Sequence, residues 1–167
     1  MVDVDDYNKI IAKATKIFEK DNKMWTKYIS NITQTEDLRV IAILVQVIIE
    51  WYLDRLLWIN FNKSNVLQDI RYPKKIEILK NQKILDPQLE HDLLKIYDIR
   101  NEYAHELEIY EQKIRNILDS VKRQSHVRQN KELDNKQRFL KYTESIIKTL
   151  QRTYMTLTVD KLNPNQI

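Results

Sequence analysis

The densest chemistry in the chain lies at 98–105, Asp98-Ile99-Arg100-Asn101-Glu102-Tyr103-Ala104-His105, where an arginine, an asparagine and a histidine fall close together. Histidine titrates near neutrality, so it can take a proton from a hydroxyl or return one to a leaving oxygen. Arginine stays charged and can clamp a phosphate as negative charge concentrates in a transition state. Together they suffice for one reaction on RNA, attack of a 2′-hydroxyl on the adjacent phosphodiester, which leaves a 2′,3′-cyclic phosphate. Of the other two histidines, His91 lies early in the same expected helix and His126 in a basic stretch. No histidine pair has metal-ligand spacing and the acidic residues do not cluster with the histidines, so no metal is expected.

The spacing restricts how these groups can cooperate. Leu89, Leu93, Ile96 and Arg100 follow the three-and-four spacing of one helix side, which puts Arg100 on an inward face. A buried arginine must find a partner or line a cleft. Asn101 and His105 share another face. Arg100 and His105 are five apart and diverge by about 140° on an unbroken helix. They reach one small target only if the helix ends or distorts near Tyr103, or if a second chain supplies one of them.

Helical periodicity accounts for nearly all of the chain that must position them. A first helix is expected over 5–30, with Ile10, Ala14, Ile17, Phe18 and Trp25 on its stripe and a bend at Asp21-Asn22. Thr33 with Glu36 fits a capping box that opens a second helix running to about 60. From Leu38 to Leu57 that helix is apolar almost all round, so it is expected to be central and most buried. Arg39, Gln46, Glu50 and Asp54 form a narrow polar seam along it. The seam either faces solvent or turns Glu50 inward to hold a cation; apolar Ile43 and Val47 on its flank favour the second.

Residues 60–72 read as a connector, followed by Pro73 and a short helix over 74–82. Asp86-Pro87 repeats the start signal, with aspartate as cap and proline in the first turn, and opens the helix over 87–103 that delivers the motif. A fifth helix is expected over 107–121 and a last one over about 133–158, with 159–167 a frayed tail. The basic stretch 122–138 is either a solvated loop or an RNA-contacting arm.

Composition narrows the classes. At 167 residues the chain is one domain with room for a core. It has no cysteine, which excludes disulfide scaffolding and thiol chemistry, and no glycine, which removes glycine-rich phosphate loops and dinucleotide fingerprints. No cofactor is expected. Asparagine should replace glycine where helices end left-handed. The acidic start, Met1 to Asp6, does not resemble a secretory leader, so the chain reads as cytoplasmic. Its longest apolar run, 40–49, is too short to span a bilayer. The formal charge of +4 is compatible with RNA without demanding it. The expectation is an all-α, single-domain bundle of five to six helices over 1–158.

Arg100-Asn101-Glu102-Tyr103-Ala104-His105 resembles the R-x4-6-H signature of the HEPN superfamily, with a polar residue after the arginine. The approach to it, Pro73 to Leu79, Ile84-Leu85-Asp86-Pro87 and Leu93 to Tyr97, is similar to that in HEPN-like relatives of the mannitol-operon regulator. So is the helix from Glu36 to Leu57, and the likeness covers about 33–118. The resemblance implies a HEPN-like bundle acting as a homodimer whose protomers bring their motifs together. It implies metal-independent cleavage of RNA by the 2′-hydroxyl route, in a toxin or RNA-defence setting with a protein antitoxin as partner. Carried over, Arg100 is the phosphate clamp, His105 the proton-transfer group, Asn101 a positioning residue and Glu50 the acidic partner of Arg100. The tyrosine that some HEPN toxins carry two residues after the histidine is Leu107 here.

The relatives of the mannitol-operon regulator need not cleave RNA, and the residues also fit a non-catalytic regulatory or interaction protein. Arg100 would then pair with Glu50 or Asp98 as a folding device, and His105 would bond a helix-terminal carbonyl. A nucleotide-sensing or other small-ligand role is the third reading.

Overall fold

The computed structural model describes residues 9, 12, 15, 16, 19–21, 23, 25, 26, 28–30, 32, 34–61, 70–105, 111–121 and 133–162, the side chains of 105 and 162 excepted. Every described residue from 9 to 34 is helical. Five further helices follow: α1 (Leu38–Asn60), α2 (Tyr72–Asn81), α3 (Pro87–His105), α4 (Glu111–Ser120) and α5 (Asn135–Leu162). Among the described residues there is no strand, and the architecture is the all-α bundle that the periodicity predicts.

Helix α1 is the axis of the bundle. Its apolar face buries Ile41, Val45, Ile48, Tyr52, Leu53 and Leu56 to near completion, and α5, α3 and α2 all pack against it. The start signal is not the expected capping box at Thr33, a residue outside the described ones. Gln34 is still helical, and α1 is capped instead by Asp37, whose Oδ1 accepts from the Arg39 N–H at 2.9 Å. Two start signals stand four residues apart here, and where the preceding helical stretch ends decides between them.

Side-chain hydroxyls fix α3 between its neighbours. Tyr72 of α2 donates to the Leu93 carbonyl at 3.2 Å, and Tyr142 of α5 donates to the Asp92 carbonyl at 2.9 Å. Asp86 caps α3 as expected, accepting from the Leu89 N–H at 2.7 Å. The last helix has a reciprocal capping box: Asp134 Oδ1 accepts from the Gln137 N–H at 2.7 Å, and Gln137 Oε1 accepts from the Asp134 N–H at 3.3 Å. That helix runs through Leu162, past the expected end at 158, so the expected tail from 159 begins as helix.

No asparagine supplies the described left-handed helix ending. After α2 that position is Lys83, at φ 58°, while the Ile84 N–H reaches back to the Leu79 carbonyl at 2.9 Å. This six-to-one closure satisfies an end carbonyl and tolerates a side chain at a cost of about 1 kcal/mol.

Candidate functional site

The motif occupies the last turns of α3. Ile96 and Ile99 face the core, and Arg100, Asn101 and Tyr103 are half-buried beside them. The helix is continuous from Pro87 through His105, so Arg100 and His105 lie on one unbroken helical stretch. His105 is its last residue, and its side chain lies outside what is described. On this unbroken helix the two positions diverge by about 140°.

The Arg100 guanidinium donates from one terminal nitrogen to Asn101 Oδ1 at 3.0 Å. Asn101 thereby holds one edge of the fork, leaving other donors for a ligand. Arg100 has no carboxylate partner among the described residues. The two acids expected to neutralise it are both engaged elsewhere. Asp98 pairs with Lys95 at 3.1 Å, and Glu50 accepts from Lys75 Nζ at 2.8 Å.

Glu50 therefore does hold a cation, but that cation is Lys75 rather than Arg100. Lys75 on α2 is 3% exposed and reaches two acids on α1. It donates to Glu50, and its Nζ lies 2.6 Å from Asp54 Oδ1. Burial alone would favour the neutral amine, yet contacts with Asp54 and Glu50 outweigh it and raise the lysine's pKa. Burial also pushes the Asp54 carboxyl up, against the pull of Lys75. Sequence reasoning missed Lys75, which reads as an ordinary surface lysine in a short amphipathic helix.

Helices α1 and α3 run antiparallel. Tyr103, near the end of α3, lies in the field of Asp37 and Arg39 at the start of α1. At the other end, Tyr97 stacks on Tyr72 with ring centroids 5.3 Å apart, and the Tyr72 hydroxyl is held in its neutral form by burial, reinforced by the Glu50 charge. Burial, aided by the Glu111 charge and opposed by Arg39, pushes the Tyr103 phenol up to about 12.

Helix α1 leaves Val40, Ile43 and Val47 exposed, with Val47 at 53%. Their spacing of three and four makes one stripe. Counting about 100° per residue, it borders the Glu50 side of the seam.

Two of the expected basic-stretch cations, Lys136 and Arg138, sit at the start of α5 in ion pairs with Glu36 and Asp119. Residues 122–132, including His126, lie outside the described ones, as does Leu107. His91 donates from Nε2 to the Ser120 carbonyl at 3.2 Å, a tie between α3 and the end of α4. Elsewhere, a groove of about 260 Å³ lies between the 29–32 stretch, α1 and α5, walled by Ile32, Val45, Ile48 and Ile147. It contains none of the candidate residues. Among the described residues no group of three or more acids and histidines could hold a metal ion, and no helix is long and apolar enough to cross a membrane.

No family model matches the chain, and no curated protein or solved structure matches it.

Proposed function

We propose that this chain is a HEPN-type, metal-independent endoribonuclease that works as a homodimer. The observation that carries this reading is the half-buried Arg100, held by Asn101 and with no acid partner among the described residues, while Glu50 and Asp98 are engaged by lysines. An uncompensated guanidinium partly withdrawn from water favours an anion, and its fork matches a phosphate.

In the reaction, His105 accepts the proton of a 2′-hydroxyl. The freed oxygen forms a bond to the adjacent phosphorus, and the bond from phosphorus to the 5′-oxygen breaks. A protonated imidazole returns a proton to that leaving oxygen, and Arg100 stabilises the charge on the phosphate oxygens. Asn101 keeps the guanidinium aimed. Glu50 acts at one remove, by fixing Lys75 and α2 rather than by touching Arg100.

The continuity of α3 supports the homodimer. Since Arg100 and His105 diverge on one helix, a joint site takes the arginine of one protomer and the histidine of the other. The stripe of Val40, Ile43 and Val47 is the apolar surface through which two copies meet. A toxin or RNA-defence role, with RNA as substrate and a protein antitoxin as regulator in the cytoplasm, completes the reading.

The test is wild type beside His105→Ala on mixed-sequence single-stranded RNA with chelator present. Wild type should leave cyclic-phosphate ends, DNA should survive for want of a 2′-hydroxyl, and His105→Ala should lose about two to four orders of magnitude in rate. Equal cleavage by both proteins would reveal a contaminating nuclease. Cleavage by neither would move the chain to the non-catalytic regulatory reading.

A further inference from the structure

The groove between the 29–32 stretch, α1 and α5 has no role in the reaction above. Its floor is closed, with Ile32, Val45, Ile48 and Thr143 each 3% exposed or less. The Thr143 hydroxyl donates to the Phe139 carbonyl of its own helix at 2.9 Å, so it asks for no further partner. The accessible surface lies on the banks, where Ile29 is 42% exposed and Leu140 and Ile147 are half-buried. Along α5 the lining runs from Leu140 to Gln151, about 16 Å or three turns. Met155, one turn beyond Gln151 and also exposed, prolongs the apolar surface at that end.

Charge is gathered along one edge of this groove. Counting about 100° per residue, Lys141, Lys148 and Arg152 fall within about 40° of one another on α5, at the outer side of the lining face. Lys141 and Lys148 themselves line the groove. Neither Lys141 nor Arg152 has an acid partner among the described residues. The one acid on this edge, Glu144, pairs with Lys148 at 2.6 Å, and both of those side chains are more than half exposed. An exposed pair of that kind contributes little, so Lys148 can exchange its partner.

A shallow groove with a sealed floor cannot enclose a small molecule, which needs most of its surface covered. It suits a helix, which lays a few side chains at spacings of three and four into the groove and keeps its other face in water. We propose that this groove docks an acidic amphipathic helix of a partner protein. That helix is about three turns long, with aliphatic side chains on one face and carboxylates along the flank that meets Lys141, Lys148 and Arg152. The proposal holds whether or not the chain cleaves RNA. The groove lies about 140° round α1 from the stripe of Val40, Ile43 and Val47, so it stays open when two copies meet through that stripe.

The probe is a labelled helical peptide with leucines at spacings of three and four and glutamates on its other positions, beside the same peptide carrying lysines for the glutamates. Read by fluorescence anisotropy, the acidic peptide should bind the full chain at least about tenfold more tightly than the basic one. Ile29→Asp, at an exposed position, should weaken that binding about tenfold and keep the melting temperature. Lys141→Glu with Arg152→Glu should invert the preference, so that the basic peptide binds the more tightly. Should that double variant fail to fold, Lys141→Glu alone, at an exposed lysine, should still narrow the preference about threefold or more. Absence of binding by the acidic peptide, equal binding of both peptides, or an unmoved preference in the charge-reversed chain would overturn the proposal. Loss of self-association in Ile29→Asp, read by light scattering, would give the groove to a second copy and overturn it too. Binding of single-stranded RNA that the charge-reversed chain loses, with neither peptide bound, would give the edge to nucleic acid, with the same result.

Discussion

The Glu50 carboxylate lies 2.8 Å from the Lys75 ammonium, so this acid of the seam is held by α2 and not by Arg100. The lysine is the more buried partner, so the pair is asymmetric. Removing Lys75 strands two like-charged carboxylates on adjacent turns of α1, whereas removing Arg100 strands none among the described residues.

Lys75→Met should therefore destabilise the bundle by about 2–3 kcal/mol, below the range for a fully buried pair because both acids are partly exposed. Urea denaturation at neutral pH measures this. A change under about 0.5 kcal/mol, the scale of an ordinary surface substitution, would show that the pair contributes little.

Arg100→Ala should leave stability within about 1 kcal/mol of wild type while abolishing cleavage, since no buried partner loses its counter-charge. Arg100→Lys should also fold normally and remain severely impaired, because it keeps the charge and loses the fork. Paired urea melts and rate measurements check both. Loss of folding in either variant would return Arg100 to a structural role.

Val47→Asp should weaken self-association at least tenfold without unfolding the chain, because Val47 is exposed within one protomer. Light scattering across a dilution series reads this directly. A wild-type chain that is monomeric at roughly tens of micromolar would contradict the proposed pairing.

Tyr103 makes an alkaline prediction. Its folded pKa of about 12 exceeds the ordinary tyrosine value, so the fold favours the neutral phenol. That contribution is fully present below about pH 10 and is lost as pH rises toward 12. Tyr103→Phe should match wild type at pH 9 and become progressively the more stable of the two above pH 10. Equal alkaline losses in both proteins would assign the effect to other groups.

Where cause was local, the sequence was informative. Asp86 caps α3 because the aspartate, the proline and the first amides lie within one turn. The apolar surface of the 38–57 stretch placed α1 at the centre for the same reason. The seam was legible as a site where a cation is held, because a carboxylate flanked by apolar residues needs one. The identity of that cation was not legible. Lys75 lies 25 residues from Glu50, and nothing in its own helix distinguishes it from a surface lysine. The same applies to Gln46, a seam residue whose Oε1 is buried without a hydrogen-bond partner, which emerges only once the other helices pack on α1.

The unbroken course of α3 through His105 also has a genetic consequence. If each site draws its arginine from one chain and its histidine from the other, two inactive proteins can repair each other. In a mixed dimer of Arg100→Ala and His105→Ala chains, one groove has neither group and the other has both. Mixing the two variants in equal amounts and allowing subunits to exchange should restore about a quarter of the wild-type sites. A chain carrying both substitutions restores none, whichever variant it is mixed with.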